Sequence, residues 1–173
     1  YKVEGCALKT PMLVSAETGE AMNINTCFYD GPISSNKAGD ILFFTNNYGS
    51  DKNEKLTIYY TTKAKNGQWS KPLPFVYNND KHNTTHPFYD EANNMLYFAS
   101  DMAGGFGGRD LWSTSYDRKS ESWSAPVNLG PEINTKGNEL FPTFAMNGDL
   151  FFATDGRAGL GGLDIFRATK VGE

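Results

Sequence analysis

The chain has 173 residues, 39% hydrophobic and 21% charged, with a formal net charge of -4. That suffices for one core of ordinary size and is too apolar and aromatic for a disordered segment. A mean hydropathy of -0.51, with no apolar run near the roughly 18 residues that a span needs, excludes a membrane-crossing helix. A pI near 5.2 with scattered Lys and Arg argues against a nucleic-acid partner. With 14% aromatics, 18 Gly and 8 Pro, the composition leans toward β-structure broken by turns.

A repeat organises the chain, and a repeat decides architecture before any single motif does. Ile41-Leu42-Phe43-Phe44-Thr45-Asn46 returns as Leu96-Tyr97-Phe98-Ala99-Ser100-Asp101 and again as Leu150-Phe151-Phe152-Ala153-Thr154-Asp155. Leu150 lies 54 residues after Leu96, and Trp123-Ser124-Ala125-Pro126 lies 54 after Trp69-Ser70-Lys71-Pro72. Pro32, Pro87 and Pro142 are separated by 55, and Ile24-Asn25-Thr26 echoes Ile133-Asn134-Thr135.

In chain order, residues 1–24 read as the outer strands of a preceding unit, 25–79 and 80–134 as complete units, and 135–173 as an incomplete one. Each unit predicts four short strands. A Pro-led strand (Pro87 to Tyr89, Pro142 to Phe144) enters a turn such as Met146-Asn147-Gly148-Asp149, where Asn-Gly tolerates positive φ at both central positions. The second strand, Leu96 to Ser100 or Leu150 to Thr154, is apolar on consecutive positions, which suits a strand covered on both faces. A glycine-rich loop leads to a third strand, Asp110 to Tyr116 or Asp164 to Thr169, and the fourth is expected around Trp123 to Leu129. No stretch has a helical period. Four-stranded antiparallel units in tandem predict an all-β fold, a β-propeller of which about three blades are present. Such an arc exposes sheet faces and edges, so the missing strands come from a longer chain or from self-association that closes the ring.

The two cysteines, Cys6 and Cys27, form either a disulfide or two reduced thiols; two are too few for a disulfide framework. Val3-Glu4-Gly5-Cys6 is similar to a lipoprotein cleavage site but lacks the charged start and apolar stretch that precede one. Opening on Tyr1 rather than Met reads as a mature or excised fragment.

Asp101-Met102-Ala103-Gly104-Gly105-Phe106-Gly107-Gly108-Arg109-Asp110-Leu111-Trp112 and Asp155-Gly156-Arg157-Ala158-Gly159-Leu160-Gly161-Gly162-Leu163-Asp164-Ile165-Phe166, with Pro126 to Thr135 between them, resemble WD40-like (TolB-like) propeller repeats. More narrowly, they are similar to the propeller region of OmpA-family outer-membrane lipoproteins of Bacteroidetes, a group that includes a component of the type IX secretion system. The resemblance covers roughly residues 24–170. The first unit departs from it, since Tyr48 to Lys55 replaces the glycine loop and Thr57 the aspartate. It implies a non-enzymatic scaffold in the periplasm, associated with the outer membrane, whose partners are other cell-envelope or secretion proteins. In that family, glycan or peptidoglycan binding comes through domains outside these residues.

Asp101/Asp110 and Asp155/Asp164, nine residues apart, bracket the glycine loops. In the architectural reading the first aspartate accepts loop N–H groups and the second fixes the next strand. The sharper reading is a Ca²⁺ site of carboxylates and loop carbonyls. A calcium β-roll is excluded because it needs tandem copies nine residues apart, not 54. His82 and His86, four apart in a predicted loop, do not suggest a metal site, and Asn83-Thr84-Thr85 is a glycosylation sequon in form. No nucleophile elbow, P-loop or Cys/His pair occurs, so neither catalysis nor a cofactor is expected. Arg109, Arg157, Asp51 and Glu54 are the candidate contacts of a scaffold. The rival is a carbohydrate-binding or carbohydrate-active propeller, for which Glu91 and Glu139 are the carboxylates to test.

Overall fold

The structure, a computed structural model, describes residues 29–47 and 55–169. Among these the protein is all-β: twelve strands, no helix, and three antiparallel sheets in chain order. The first sheet holds β1 (Asp30–Ser35), β2 (Ile41–Asn46), β3 (Thr57–Thr62) and β4 (Leu73–Pro74) in that order. The second holds β5 (Thr84–Asp90), β6 (Met95–Ser100) and β7 (Asp110–Asp117), with β8 (Ser122–Trp123) and β9 (Val127–Asn128) both on β7. The third is β10 (Glu139–Phe144), β11 (Leu150–Thr154) and β12 (Asp164–Ala168).

The fourth strand is broken in both sheets that have one. Pro72 and Pro126, which cannot donate to a ladder, separate a short outer pairing (Lys63 with Trp69, Tyr116 with Trp123) from a second one (Tyr60 with Leu73, Ser113 with Val127). At the break a serine hydroxyl substitutes for the backbone. Ser70 Oγ accepts the Thr62 N–H at 3.1 Å and Ser124 Oγ accepts the Ser115 N–H at 3.0 Å.

The first strands begin earlier than the proline-led pattern suggests. β5 and β10 start three residues before Pro87 and Pro142, and each proline lies where the register slips, as Pro32 does in β1. A bulge places the missing N–H where the ladder needs none. The residue before it becomes left-handed: φ is +54° at His86 and +55° at Phe141. In the hairpins that follow, only one residue is left-handed, Gly39, Asn94 or Gly148, at equivalent repeat positions. Asn147 is not left-handed, so the Asn-Gly turn is a three-residue loop closed by Gly148 rather than a two-residue one.

The core lies between successive sheets. Phe43 and Ile58 of the first sheet join Phe75, Leu96, Phe98 and Trp112 in one cluster; Ala99 and Leu111 of the second join Leu140, Leu150 and Phe152 of the third in another. The second sheet therefore buries one face on the first sheet and the other on the third, which is why β6 is apolar at consecutive positions. β11, last in the series, alternates between buried and half-buried residues instead. Phe98 is fully buried and meets Phe75 edge-on at 5.6 Å between ring centroids. Phe98→Ala is expected to cost about 3–5 kcal/mol in a denaturant titration; a loss below about 1 kcal/mol would contradict this account of the core.

Candidate functional site

The glycine loops and the four aspartates beside them come together with two asparagines that the sequence reading did not weigh as a pair. Asp101 Oδ1 and Oδ2 accept the N–H and side-chain Nδ2–H of Asn83 at 2.5 and 2.7 Å; Asp155 accepts the same pair from Asn138 at 2.6 and 2.9 Å. Each asparagine then reaches back one sheet. Asn83 Oδ1 accepts the Leu56 N–H at 3.1 Å while the Thr84 N–H donates to the Leu56 carbonyl at 2.8 Å. Asn138 Oδ1 accepts the Arg109 N–H at 3.1 Å while the Glu139 N–H donates to the Arg109 carbonyl at 2.6 Å. This clasp ties the start of one sheet's third strand to the start of the next sheet's first.

The aspartate roles are therefore exchanged relative to the architectural expectation. The second aspartate closes the loop: Asp110 Oδ2 accepts the Phe106 N–H at 2.6 Å and Asn128 Nδ2–H at 2.7 Å, and Asp164 Oδ2 accepts the Leu160 N–H at 2.8 Å. The first reaches out of the loop to the asparagine. All four carboxylates face N–H donors, and among the described residues no group of three His, Cys, Asp or Glu side chains is placed to hold a metal ion. Hydrogen bonds from the Asn138 N–H and then its carboxamide hold the Asp155 carboxyl below its ordinary range. The glycines allow close contact, since a Cβ on Gly107 would sit 2.4 Å from the Lys136 carbonyl carbon.

The other candidates are also engaged in the framework. Arg157 Nη2 donates to the carbonyls of Glu132 and Ile133 at 2.6 and 3.1 Å, fastening the loop that precedes β10. Arg109 contributes its backbone to the clasp, and its positive charge disfavours protonation of His86. Glu139 is fully buried and accepts from the Thr135 N–H, the Thr135 hydroxyl and the Thr154 hydroxyl at 3.0, 2.6 and 2.7 Å. Glu91, at the turn after β5, accepts the Lys37 N–H at 2.9 Å and so joins two hairpins. The two glutamates serve different ties on different elements. Asn83 Nδ2, the atom a sequon would glycosylate, is buried against Asp101. Asp51, Glu54, Cys6 and Cys27 lie outside the described residues.

The concave regions of the described residues include two that draw on several strands. One runs over the bulges of β1, β5 and β10, lined by Pro32, Ile33, His86, Pro87, Phe141 and Pro142. Here the His86 ring lies tilted against Phe141 with ring centroids 4.0 Å apart, and the His86 N–H donates to Thr45 Oγ1 at 3.0 Å. The other is a crevice of about 170 Å³ between the first two sheets, lined by Phe43, Tyr60, Tyr89, Tyr116 and Trp123 with Ile41 and Thr62. Phe43 lies 5.1 Å from Tyr89, and Tyr116 lies 5.0 Å from Trp123. Burial raises the Tyr89 pKa above its ordinary value. These aromatics come from five strands, so their convergence has no local signature in the sequence. No family model and no curated protein matches the chain.

Burial first, and the Arg109 charge second, lower the His86 pKa to about 4. The folded state thus resists a proton that the unfolded chain accepts near 6.5, so stability present above that value is lost as pH falls toward 4. The contribution is at most about 3 kcal/mol. His86→Asn, which keeps a residue tolerant of left-handed φ, is expected to flatten the stability profile between pH 6.5 and 4 relative to the parent; an unchanged difference between the two across that window would contradict the assignment.

Proposed function

We propose that this chain is an arc of a WD40-like (TolB-like) β-propeller. It works as a non-enzymatic interaction scaffold in a periplasmic, outer-membrane-associated protein, within a cell-envelope or type IX secretion assembly. The observation that carries the reading is the use of the polar groups. Asp101, Asp110, Asp155, Asp164, Glu139 and Arg157 all hold loops and sheets in place, so these polar groups are spent on rigidity. A rigid frame then displays the glycine loops, with Phe106 and Leu160 exposed at their tips. The 54-residue repeat of sheet, hairpin and clasp supports the propeller assignment, and the motifs from Asp101 to Phe166 support the envelope family and its location. Ring closure would come from further units or from a second copy. A photo-crosslinking residue at Phe106, introduced in the source cells, is expected to trap an envelope protein of discrete mass; absence of any protein adduct there and at Leu160 would contradict the scaffold reading.

The aromatic crevice favours a second reading, carbohydrate binding without hydrolysis. Ring faces with hydroxyl tips at Tyr60, Tyr89 and Tyr116 present both apolar and polar contact to one sugar ring, whereas Glu91 and Glu139 are occupied elsewhere. Under this reading Tyr60→Ala weakens binding to soluble oligosaccharides by about tenfold or more. An equal affinity for parent and variant, or glycan hydrolysis lost in Glu139→Gln, would count against it.

A further inference from the structure

The aromatic crevice between the first two sheets is more than a by-product of the repeat. Both sheets that bound it carry their outer strands, so every strand on either side is in place. Two of its tyrosines stand where the equivalent position of the other sheet has no aromatic ring. Tyr60 pairs with Phe43 and Leu73, and Ser113 holds the same ladder position in the second sheet, paired with Tyr97 and Val127. Tyr116 pairs with Trp123 of the outer strand, where the first sheet has Lys63 opposite Trp69. The repeat is built without a ring at either position, so sheet packing does not account for them. The crevice holds about 170 Å³. Sites for drug-sized ligands run to roughly 300–1,000 Å³, so this one has room for a single ring at the end of a longer molecule.

The charge at its rim selects among ring-bearing ligands. Arg118, in the turn after β7, donates from Nε to Asn94 Oδ1 at 2.8 Å and hydrogen-bonds the Tyr89 side chain. Among the described residues it has no ion-pair partner. The acidic groups beside it are engaged by neighbouring donors. Asp117 accepts the Lys119 N–H and the Ser120 hydroxyl at 2.8 and 2.9 Å, and Glu91 accepts the Lys37 N–H at 2.9 Å. At Tyr89 the Arg118 charge outweighs that of Glu91. A quaternary ammonium, which ring faces would otherwise suit, meets Arg118 as a like charge. A carboxylate meets it as a partner.

We propose that the crevice takes the terminal ring of an acidic saccharide, with the faces of Tyr60 and Trp123 against the sugar and the Arg118 guanidinium on its carboxylate. The inference deepens the carbohydrate reading of this crevice and rests on it. Arg118 is exposed, so its ion pair contributes modestly and is screened by salt, while ring contact supplies most of the affinity.

The test titrates the full chain, by calorimetry, with two probes: a trisaccharide with a non-reducing terminal glucuronic acid, and the same trisaccharide with that carboxyl reduced to the alcohol. The acidic probe is expected to bind roughly three- to tenfold more tightly, and the preference is expected to shrink as salt is raised to about 0.5 M. Arg118→Gln is expected to abolish the preference by weakening the acidic probe alone. Weakening of both probes by the same factor would overturn the proposal, because Arg118 would then act only by holding Tyr89. Equal affinity of the parent chain for the two probes would also overturn it, and would leave the carbohydrate reading standing. Binding of neither probe would overturn both, and binding of tetramethylammonium in their place would assign the crevice to cations.

Discussion

Among the described residues, successive sheets are joined through one recurring hydrogen-bonded group, an asparagine held by an aspartate from its own sheet and presented to the backbone of the sheet before it. Asn83 with Asp101, and Asn138 with Asp155, perform this at the two junctions described. Apolar packing between sheets is strong but has no direction, so it sets distance better than register. The clasp adds direction, because a carboxamide that donates to a carboxylate and accepts from a backbone N–H tolerates one orientation only. The hydrophobic clusters formed by Phe43 with Phe98, and by Leu111 with Phe152, then fill a gap whose geometry is already fixed.

The glycine loops follow from the same constraint. The loop before Asp110 must approach the segment 135–138 closely enough for the Gly108 N–H to donate to the Gly137 carbonyl at 2.8 Å, and a side chain at Gly107 would collide with the Lys136 carbonyl. The junction between the first two sheets keeps the clasp at Leu56 although the sequence before it has no glycine run. The clasp is thus common to both described junctions, and the glycine-rich loop sequence is the part that varies.

Much of the fold was legible because it is periodic. The apolar second strands, the glycine loops and the Trp-Ser-x-Pro segments stand 54 residues apart and map onto β6 and β11, the two glycine loops and the broken outer strands. What escaped the reading depends on contacts between units. Asn83 looks like part of a sequon and Asn138 like loop filler until Asp101 and Asp155 are seen to face them, although their 55-residue spacing was a usable signal. Left-handed His86 and Phe141 escaped for another reason. Propensity argues against that conformation before a proline, and the bulge with its ring contact overrides it. The aromatic crevice, assembled from five strands, has no linear trace at all.

The central claim is that the asparagine clasp, and not packing alone, joins successive sheets. A double-mutant cycle on Asn83→Ala and Asp101→Ala, read by chemical denaturation, addresses it most directly. The clasp predicts a coupling energy of about 1 kcal/mol or more, because each side chain loses its partner when the other is removed. Strictly additive effects of the two substitutions would contradict it.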